Sequence, residues 1–198
     1  MSTLYLVRHA HAEWTLDENR SLSVQGSKDA NRVANTLYEY PISTIYSSPA
    51  RRACQTVTPL ARWLGLSIHM EPDLQERRLG GGVFEDFFKA VEVTWQNPSF
   101  AHPGGESSVM AQKRGIVVVQ RLLVQNPAQH IVLSTHRNLM ALILQTFDLS
   151  VDFMFWKALT MPDVYKLNIS QSGEGLIQRI WQEVDAENCQ TENGLTKY

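Results

Sequence analysis

Arg8 and His9 stand together after the apolar run Leu4-Tyr5-Leu6-Val7, and a second imidazole, His136, closes the stretch Ile131-Val132-Leu133-Ser134-Thr135. Arg51 and Arg52 follow the β-prone stretch Thr44-Ile45-Tyr46-Ser47, and Glu76 is the obvious carboxylate in the loop region beyond. Brought to one edge of a sheet, these residues form a phosphoryl-transfer set. A phosphoryl group in flight spreads negative charge over its equatorial oxygens, and planar guanidinium groups match that geometry with paired hydrogen bonds. An unprotonated imidazole is a competent nucleophile at neutral pH, where a hydroxyl would first need a base. A carboxyl group close to a phosphate anion is kept protonated by repulsion and can act as general acid. Nucleophile, charge stabiliser and proton donor are all supplied without a metal or other cofactor.

The elements that must deliver these groups read as alternating strands and helices. Four apolar residues in a row predict a first strand buried on both faces, and the carboxyl ends of such strands are where open α/β sheets bind ligands. Ser23 is placed to cap a helix whose Ala30, Val33, Ala34 and Leu37 recur at helical spacing, with Pro41 beyond its end. After the second strand, a helix carries Val57, Leu60, Ala61 and Leu64 inward and ends at Gly65 in the left-handed conformation. Residues 66–70 form a third strand with His69 solvent-facing or structural. Phe84, Phe87, Phe88, Val91 and Trp95 recur at helical spacing within the irregular segment 77–102, which reads as a small cap. A long helix to about Leu123 turns Met110, Val117 and Leu122 or their neighbours inward, and residues 130–135 repeat the design of the first strand. A helix with Leu139, Leu142, Ile143 and Phe147 follows, and 163–169 with 175–181 make an antiparallel hairpin around Gln171-Ser172-Gly173-Glu174. The expectation is one α/β domain over residues 1–184, with a polar tail at 185–198.

Composition narrows the function. A chain of 198 residues with 43% hydrophobic and 19% charged residues has the make-up of a globular domain. A net charge of -2 gives no general affinity for nucleic acid or anionic membrane, so attraction for anions must be local. Two unpaired cysteines, Cys54 and Cys189, suggest neither a disulfide framework nor a zinc site. With no signal-peptide pattern before Arg8 and no run of membrane-spanning length, the expected setting is cytoplasmic. His9 and His11 share a strand face but lack a carboxylate or cysteine cluster to complete a metal site. Glu106 fits the first turn of a helix, Cys54 reads as a small buried residue, and Arg51 as a solvated neighbour of Arg52.

Five blocks in order resemble the histidine phosphatase superfamily, the phosphoglycerate-mutase-like proteins. Val7-Arg8-His9-Ala10-His11-Ala12-Glu13-Trp14 resembles its Arg-His-Gly signature in the Arg-His-Ala form, and Ser47-Ser48-Pro49-Ala50-Arg51-Arg52-Ala53-Cys54-Gln55-Thr56 its second block. Leu74-Gln75-Glu76, Pro103-Gly104-Gly105-Glu106-Ser107 and Leu133-Ser134-Thr135-His136 are similar to the remaining three. The resemblance spans residues 3 to about 146. It implies a three-layer α/β/α sandwich, mostly parallel with an antiparallel hairpin near the C-terminus. It also implies a phosphohistidine on His9, a phosphate pocket of Arg8, Arg52 and His136, and proton donation by Glu76.

Departures from the family pattern bear on substrate. Ala10 stands for a common glycine, Ala12 and Thr15 for a hydroxyl and an asparagine, and Arg137 for a small residue beside His136. The expected function is a metal-independent phosphomonoester hydrolase acting on a small phosphorylated metabolite. The alternatives are a phosphoglycerate-type mutase, a phosphohistidine protein phosphatase and a non-catalytic phosphate-binding protein. Only residues 77–102 lie where mutases carry a long insertion, which favours hydrolysis. Thr15, Arg137, Phe87 and Phe88 are candidate substrate contacts. An aromatic wall from the cap would favour apolar phosphomonoesters over 3-phosphoglycerate.

Overall fold

A computed structural model describes residues 2–13, 15, 17, 19–170 and 172–183. The expected tail at 185–198 and Cys189 lie outside the described residues. Strand β1 (Ser2–Arg8) is followed by α1 (Val24–Tyr38), β2 (Ile42–Ser47), α2 (Arg51–Leu64), β3 (Ile68–Met70) and a 3-10 turn at Pro72–Leu74. Then come α3 (Phe87–Gln96), α4 (Ser108–Gln125), β4 (His130–Thr135), α5 (Arg137–Gln145), α6 (Phe153–Ala158), β5 (Asp163–Ile169) and β6 (Gly175–Arg179).

The six strands form one sheet in the order β3-β2-β4-β1-β5-β6. The pairs β3-β2, β2-β4 and β4-β1 are parallel, whereas β5 runs antiparallel to β1 and pairs with β6 as a hairpin. This is the expected α/β class with its antiparallel C-terminal hairpin. Strand alternation sends Tyr5 and Val7 to one face, where they pack with Val33, Ala34 and Leu37 of α1 and Val57 and Leu60 of α2. Leu4 and Leu6 face the other side, with Val118 and Leu122 of α4, Leu139 of α5 and Trp156 of α6. Two helical layers thus sandwich a central strand that has no solvated face, the packing that an uninterrupted apolar run requires.

Local chemistry sets the element ends. Ser23 accepts a hydrogen bond from Gly26 N–H at 3.0 Å and caps α1. A Cβ on Gly26 would sit 2.0 Å from the His11 carbonyl oxygen, so glycine is what lets α1 start against the loop that follows the first histidine. Gly65, at φ 66°, closes α2 as expected. β3 begins two residues later than predicted, and α3 starts at Phe87 because Asp86 accepts from Lys89 N–H and fixes the N-cap there. On α4 the inward residues are Ala111, Val118 and Leu122, while Met110 and Val117 are exposed. Cys54 is half-buried and so only partly fills the core role expected of it. The six-residue helix α6 was not foreseen. It is too short to display a period, and its only local signal is the N-cap Asp152, which accepts from Phe155 N–H.

Candidate active site

Register brings the two histidines together. Arg8 pairs with Thr135 at the carboxyl ends of β1 and β4, so His9 and His136 leave the sheet side by side, with His9 N–H donating to the Thr135 carbonyl at 3.0 Å. Their rings meet edge to face, centroids 5.1 Å apart, and both are buried. Because β1 and β4 are adjacent while their helices cross to opposite faces, this is the sheet's switch point, where a ligand crevice opens.

Hydrogen bonds fix both imidazoles as neutral tautomers. His9 Nδ1 lies 2.8 Å from the Ala10 carbonyl, an acceptor only, so Nδ1 carries the proton and Nε2 carries a lone pair. That lone pair accepts from Arg52 Nε at 3.2 Å. Burial is the main cause that pushes His9 down to about 3, with Arg52, Arg8 and Arg20 adding to it, so the ring is unprotonated at neutral pH. His136 Nδ1 faces Arg52 Nη2 at 3.3 Å and therefore accepts, leaving Nε2–H to donate to Ser48 Oγ at 2.9 Å. Burial again, then the neighbouring positive charges, holds His136 well below the ordinary imidazole range.

The cations arrive from separate elements. Arg52 sits in the first turn of α2, and Thr56 one turn on accepts from Ala10 N–H at 2.9 Å while donating to the Arg52 carbonyl at 2.7 Å. That hydroxyl ties the residue after His9 to the helix that carries Arg52. Arg8, at the end of β1, donates through Nη1 to the carbonyls of Leu159 and Thr160 at 2.8 and 2.7 Å. Burial above all, with Arg137 adding repulsion, pulls Arg8 down to about 9, so it remains a cation at neutral pH. The N-termini of α2 and α5 both open toward this centre, adding the positive ends of two helix dipoles.

Glu76 is half-buried and caps α5. One carboxylate oxygen accepts from Arg77 N–H and Leu139 N–H at 2.8 and 3.0 Å, and the other from Asn138 N–H at 3.1 Å. The Thr135 hydroxyl, donating to the Leu74 carbonyl at 2.8 Å, holds the loop that carries it. Arg52, Glu76 and His136 line one cleft of about 480 Å3, together with Asn19, Arg20 and residues 75–78. Among the described residues no cluster of three or more His, Cys, Asp or Glu side chains is placed to hold a metal. His11 turns instead to Ser23 Oγ at 2.9 Å.

The remaining candidates lie away from that lining. Arg137 donates to the Leu159 carbonyl at 3.0 Å and lies over the Trp156 ring at 4.9 Å. Phe87 and Phe88 are half-exposed and pack against the same Trp156, with centroids 6.4 and 6.0 Å away. The aromatic wall expected over the phosphate is therefore directed at α6, because helical spacing gives a shared face but not the element it meets. Exposed Thr15 hydrogen-bonds the Asp17 carbonyl at 3.3 Å. Two residues that sequence reasoning passed over belong to the site. Ser48 orients His136, and its place beside Pro49 in a recognised block was the available signal. Arg20 lines the cleft and acts on both imidazoles, and nothing in its aperiodic loop announced it.

Comparison with known proteins gives a consistent picture. The model of the histidine phosphatase superfamily (branch 1) matches residues 4–180. A putative phosphoserine phosphatase of Hydrogenobacter thermophilus is 29% identical over 117 residues, covering 52% of this chain and 57% of that protein. A probable phosphoglycerate mutase of Proteus mirabilis is 29% identical over 130 residues, covering 58% and 60%. The chain thus spans about three fifths of the length of the curated relatives it matches. Among solved structures, a mycobacterial glucosyl-3-phosphoglycerate phosphatase superposes with a TM-score of 0.74 at 21% identity, covering 89% of this chain and 97% of the other. A phosphoserine phosphatase of Entamoeba histolytica in complex with 3-phosphoglyceric acid gives 0.74 at 22%, covering 89% and 95%. At those identities the structures speak for the fold alone.

Proposed function

The chain belongs to the histidine phosphatase superfamily, and from that premise we propose that it is a metal-independent phosphomonoester hydrolase acting on a small phosphorylated metabolite. The observation that carries the reading is the His9 tautomer: Nδ1–H is committed to the Ala10 carbonyl, and the Nε2 lone pair faces Arg52 beside His136. A nucleophile thus stands unprotonated among the cations that an incoming phosphate needs.

In this reading His9 Nε2 attacks phosphorus while the bond to the leaving oxygen breaks, and Glu76 gives that oxygen its proton. Water then gives a proton back to Glu76 and attacks the phosphohistidine. The P–N bond breaks, releasing inorganic phosphate and restoring the imidazole. Arg8 and Arg52 hold the equatorial oxygens through both steps, and His136, which keeps its Nε2–H on Ser48, joins them by taking a proton at Nδ1 once the phosphate draws Arg52 away from that atom; together they supply the charge stabilisation for which other phosphatases recruit a metal. The relative named as a putative phosphoserine phosphatase supports hydrolysis of a small metabolite.

The test is release of inorganic phosphate from p-nitrophenyl phosphate in the presence of EDTA, with rapid quenching in alkali to trap a phosphoenzyme. Turnover and an acid-labile phosphoryl group lost in His9→Ala are expected. Activity that needs a divalent ion, or that survives in His9→Ala, overturns the mechanism.

A further inference from the structure

The hold on Arg8 comes from a single turn. Its Nη1 donates to the carbonyls of Leu159 and Thr160, so the direction of the guanidinium follows wherever that turn lies. Leu159 closes α6, its N–H donating to the carbonyls of Phe155 and Trp156 at 3.2 and 3.4 Å. A helix of six residues is too short to fix its own position through backbone hydrogen bonds, so neighbouring elements must place it. A second guanidinium takes the same carbonyl. Arg137, the first residue of α5, donates through Nη2 to the Leu159 oxygen at 3.0 Å, so arginines from β1 and α5 occupy both lone pairs of one acceptor. The Arg137 guanidinium also lies 4.9 Å over the ring of Trp156, a buried plate stacked on Phe153 at 5.4 Å and met from α3 by Phe87 and Phe88. Arg137 therefore grips α6 at two points, a ring face and the last carbonyl.

Other roles for Arg137 do not match its surroundings. It is not among the residues that line the cleft, and it makes no ion pair among the described residues. Its Nε is shielded from solvent without an acceptor, and a buried donor left unpaired makes the side chain a poor source of stability. Its charge is instead directed at Arg8, which it repels, while Glu76 attracts both guanidinium groups. Standing directly after His136, it ties the start of α5, and with it the second imidazole, to the turn that holds Arg8.

We infer that Arg137 is a positioning residue for Arg8: by pinning the Leu159 carbonyl between Trp156 and α5, it sets the direction in which the Arg8 guanidinium meets the phosphate. The inference rests on the reading of Arg8 as a phosphate ligand. A carbonyl held from two sides cannot turn with one of its donors, so Arg8 is oriented before the anion arrives, and preorganised donors are the ones that stabilise developing charge.

Inorganic phosphate followed by calorimetry is the first probe, because it reports on Arg8 without turnover. Arg137→Met keeps an unbranched side chain with a thioether against Trp156 and removes the donor. It should weaken phosphate binding about fivefold and lower kcat/KM on p-nitrophenyl and alkyl phosphates by a similar factor, with Tm within about 3 °C of wild type. Arg137→Lys, which can still donate to the carbonyl, should recover most of the binding. In an Arg8→Gln background the same Arg137→Met change should alter phosphate binding by less than about twofold, because the route is already cut. Nitrogen-15 spectra give a reading that does not depend on how Arg8→Gln folds. The Arg8 Nη signals, kept apart while Nη1 is held by two carbonyls, should average in Arg137→Met and stay apart in Arg137→Lys. Phosphate binding unchanged in Arg137→Met, an equal loss in the Arg8→Gln background, or unaltered Arg8 signals overturns the inference. So does a larger fall in Tm with phosphate binding that Arg137→Lys does not restore, which would make Arg137 a packing residue. Absence of turnover on every phosphomonoester, with phosphate binding still dependent on Arg137 through Arg8, overturns the proposed hydrolysis and leaves the positioning role standing.

Discussion

At His9 one proton decides the chemistry, and the residues around it decide where that proton sits. With Nδ1–H given to the Ala10 carbonyl, Arg52 is left to face the lone pair, and an incoming phosphate would draw the guanidinium onto its oxygens. Arg52→Ala removes a preorganised donor from the developing charge and should cost about 3 kcal/mol of transition-state binding, a fall of ~10²-fold in kcat/KM. A change within about twofold on p-nitrophenyl phosphate would transfer the role to Arg51, which is exposed. Glu76→Gln separates proton donation from capping. The amide oxygen still accepts from the first turn of α5, but the group can no longer cycle a proton, so hydrolysis of alkyl phosphates should fall at least tenfold further than that of p-nitrophenyl phosphate, whose leaving group needs no proton. Equal losses for both ester types would make Glu76 a positioning residue only.

Elements add what single residues do not show. Arg8 is held by the carbonyls of Leu159 and Thr160, and that turn is itself fixed by Asp163, which accepts from Thr160 N–H at 2.9 Å and from Arg179 Nε of β6 at 2.9 Å. The C-terminal hairpin therefore reaches Arg8, and with it the proposed phosphate site, through a buried carboxylate. Asp163→Asn should cost about 3 kcal/mol of stability, because it leaves a partly buried pair broken. It should also raise the inhibition constant for inorganic phosphate severalfold, and a stability loss with unchanged phosphate inhibition would detach the hairpin from the site. Little of this was legible in the sequence. The runs ending at His9 and His136 were readable because a strand buried on both faces leaves an uninterrupted apolar signature. The hairpin, the Ser23 cap and the Gly65 helix end were readable from turn and capping chemistry, whereas the caps at Asp86 and Asp152 were not. The facing of α3 was not, since periodicity at Phe87 and Phe88 is the same whether the face meets Trp156 or a substrate. Arg20 was hidden for a related reason: its place follows from Asn19 and Gln55 binding across to α2, a tertiary fact without a local pattern.

Across the whole molecule, the site concentrates positive charge in a chain whose net charge is -2, and it buries two imidazoles to do so. Burying a neutral imidazole beside guanidinium groups creates a dependence of stability on pH whose sign can be worked out. His9 is held at about 3 in the folded state against an ordinary 6.5, and His136 is shifted in the same direction. As pH falls below about 6.5 the unfolded chain takes up protons that the folded chain refuses, so stability is lost progressively until the folded pKa is reached. For His9 alone the loss by pH 5 is about 2 kcal/mol, equivalent to about 4–8 °C in Tm for a chain of this size. Carboxylates also titrate in this window, so the informative quantity is the difference between wild type and His9→Gln, which has no proton to gain. Tm measured from pH 7.5 to 5 should fall less steeply in His9→Gln, and saturating inorganic phosphate should raise Tm most in the wild type, where the anion offsets the crowded cations. Parallel Tm profiles for the two proteins would mean that His9 titrates normally in the folded chain. The nucleophile would then be largely protonated at pH 5.5, and phosphatase activity would have to fall with an apparent pKa near 6.5 instead of persisting into the acid range.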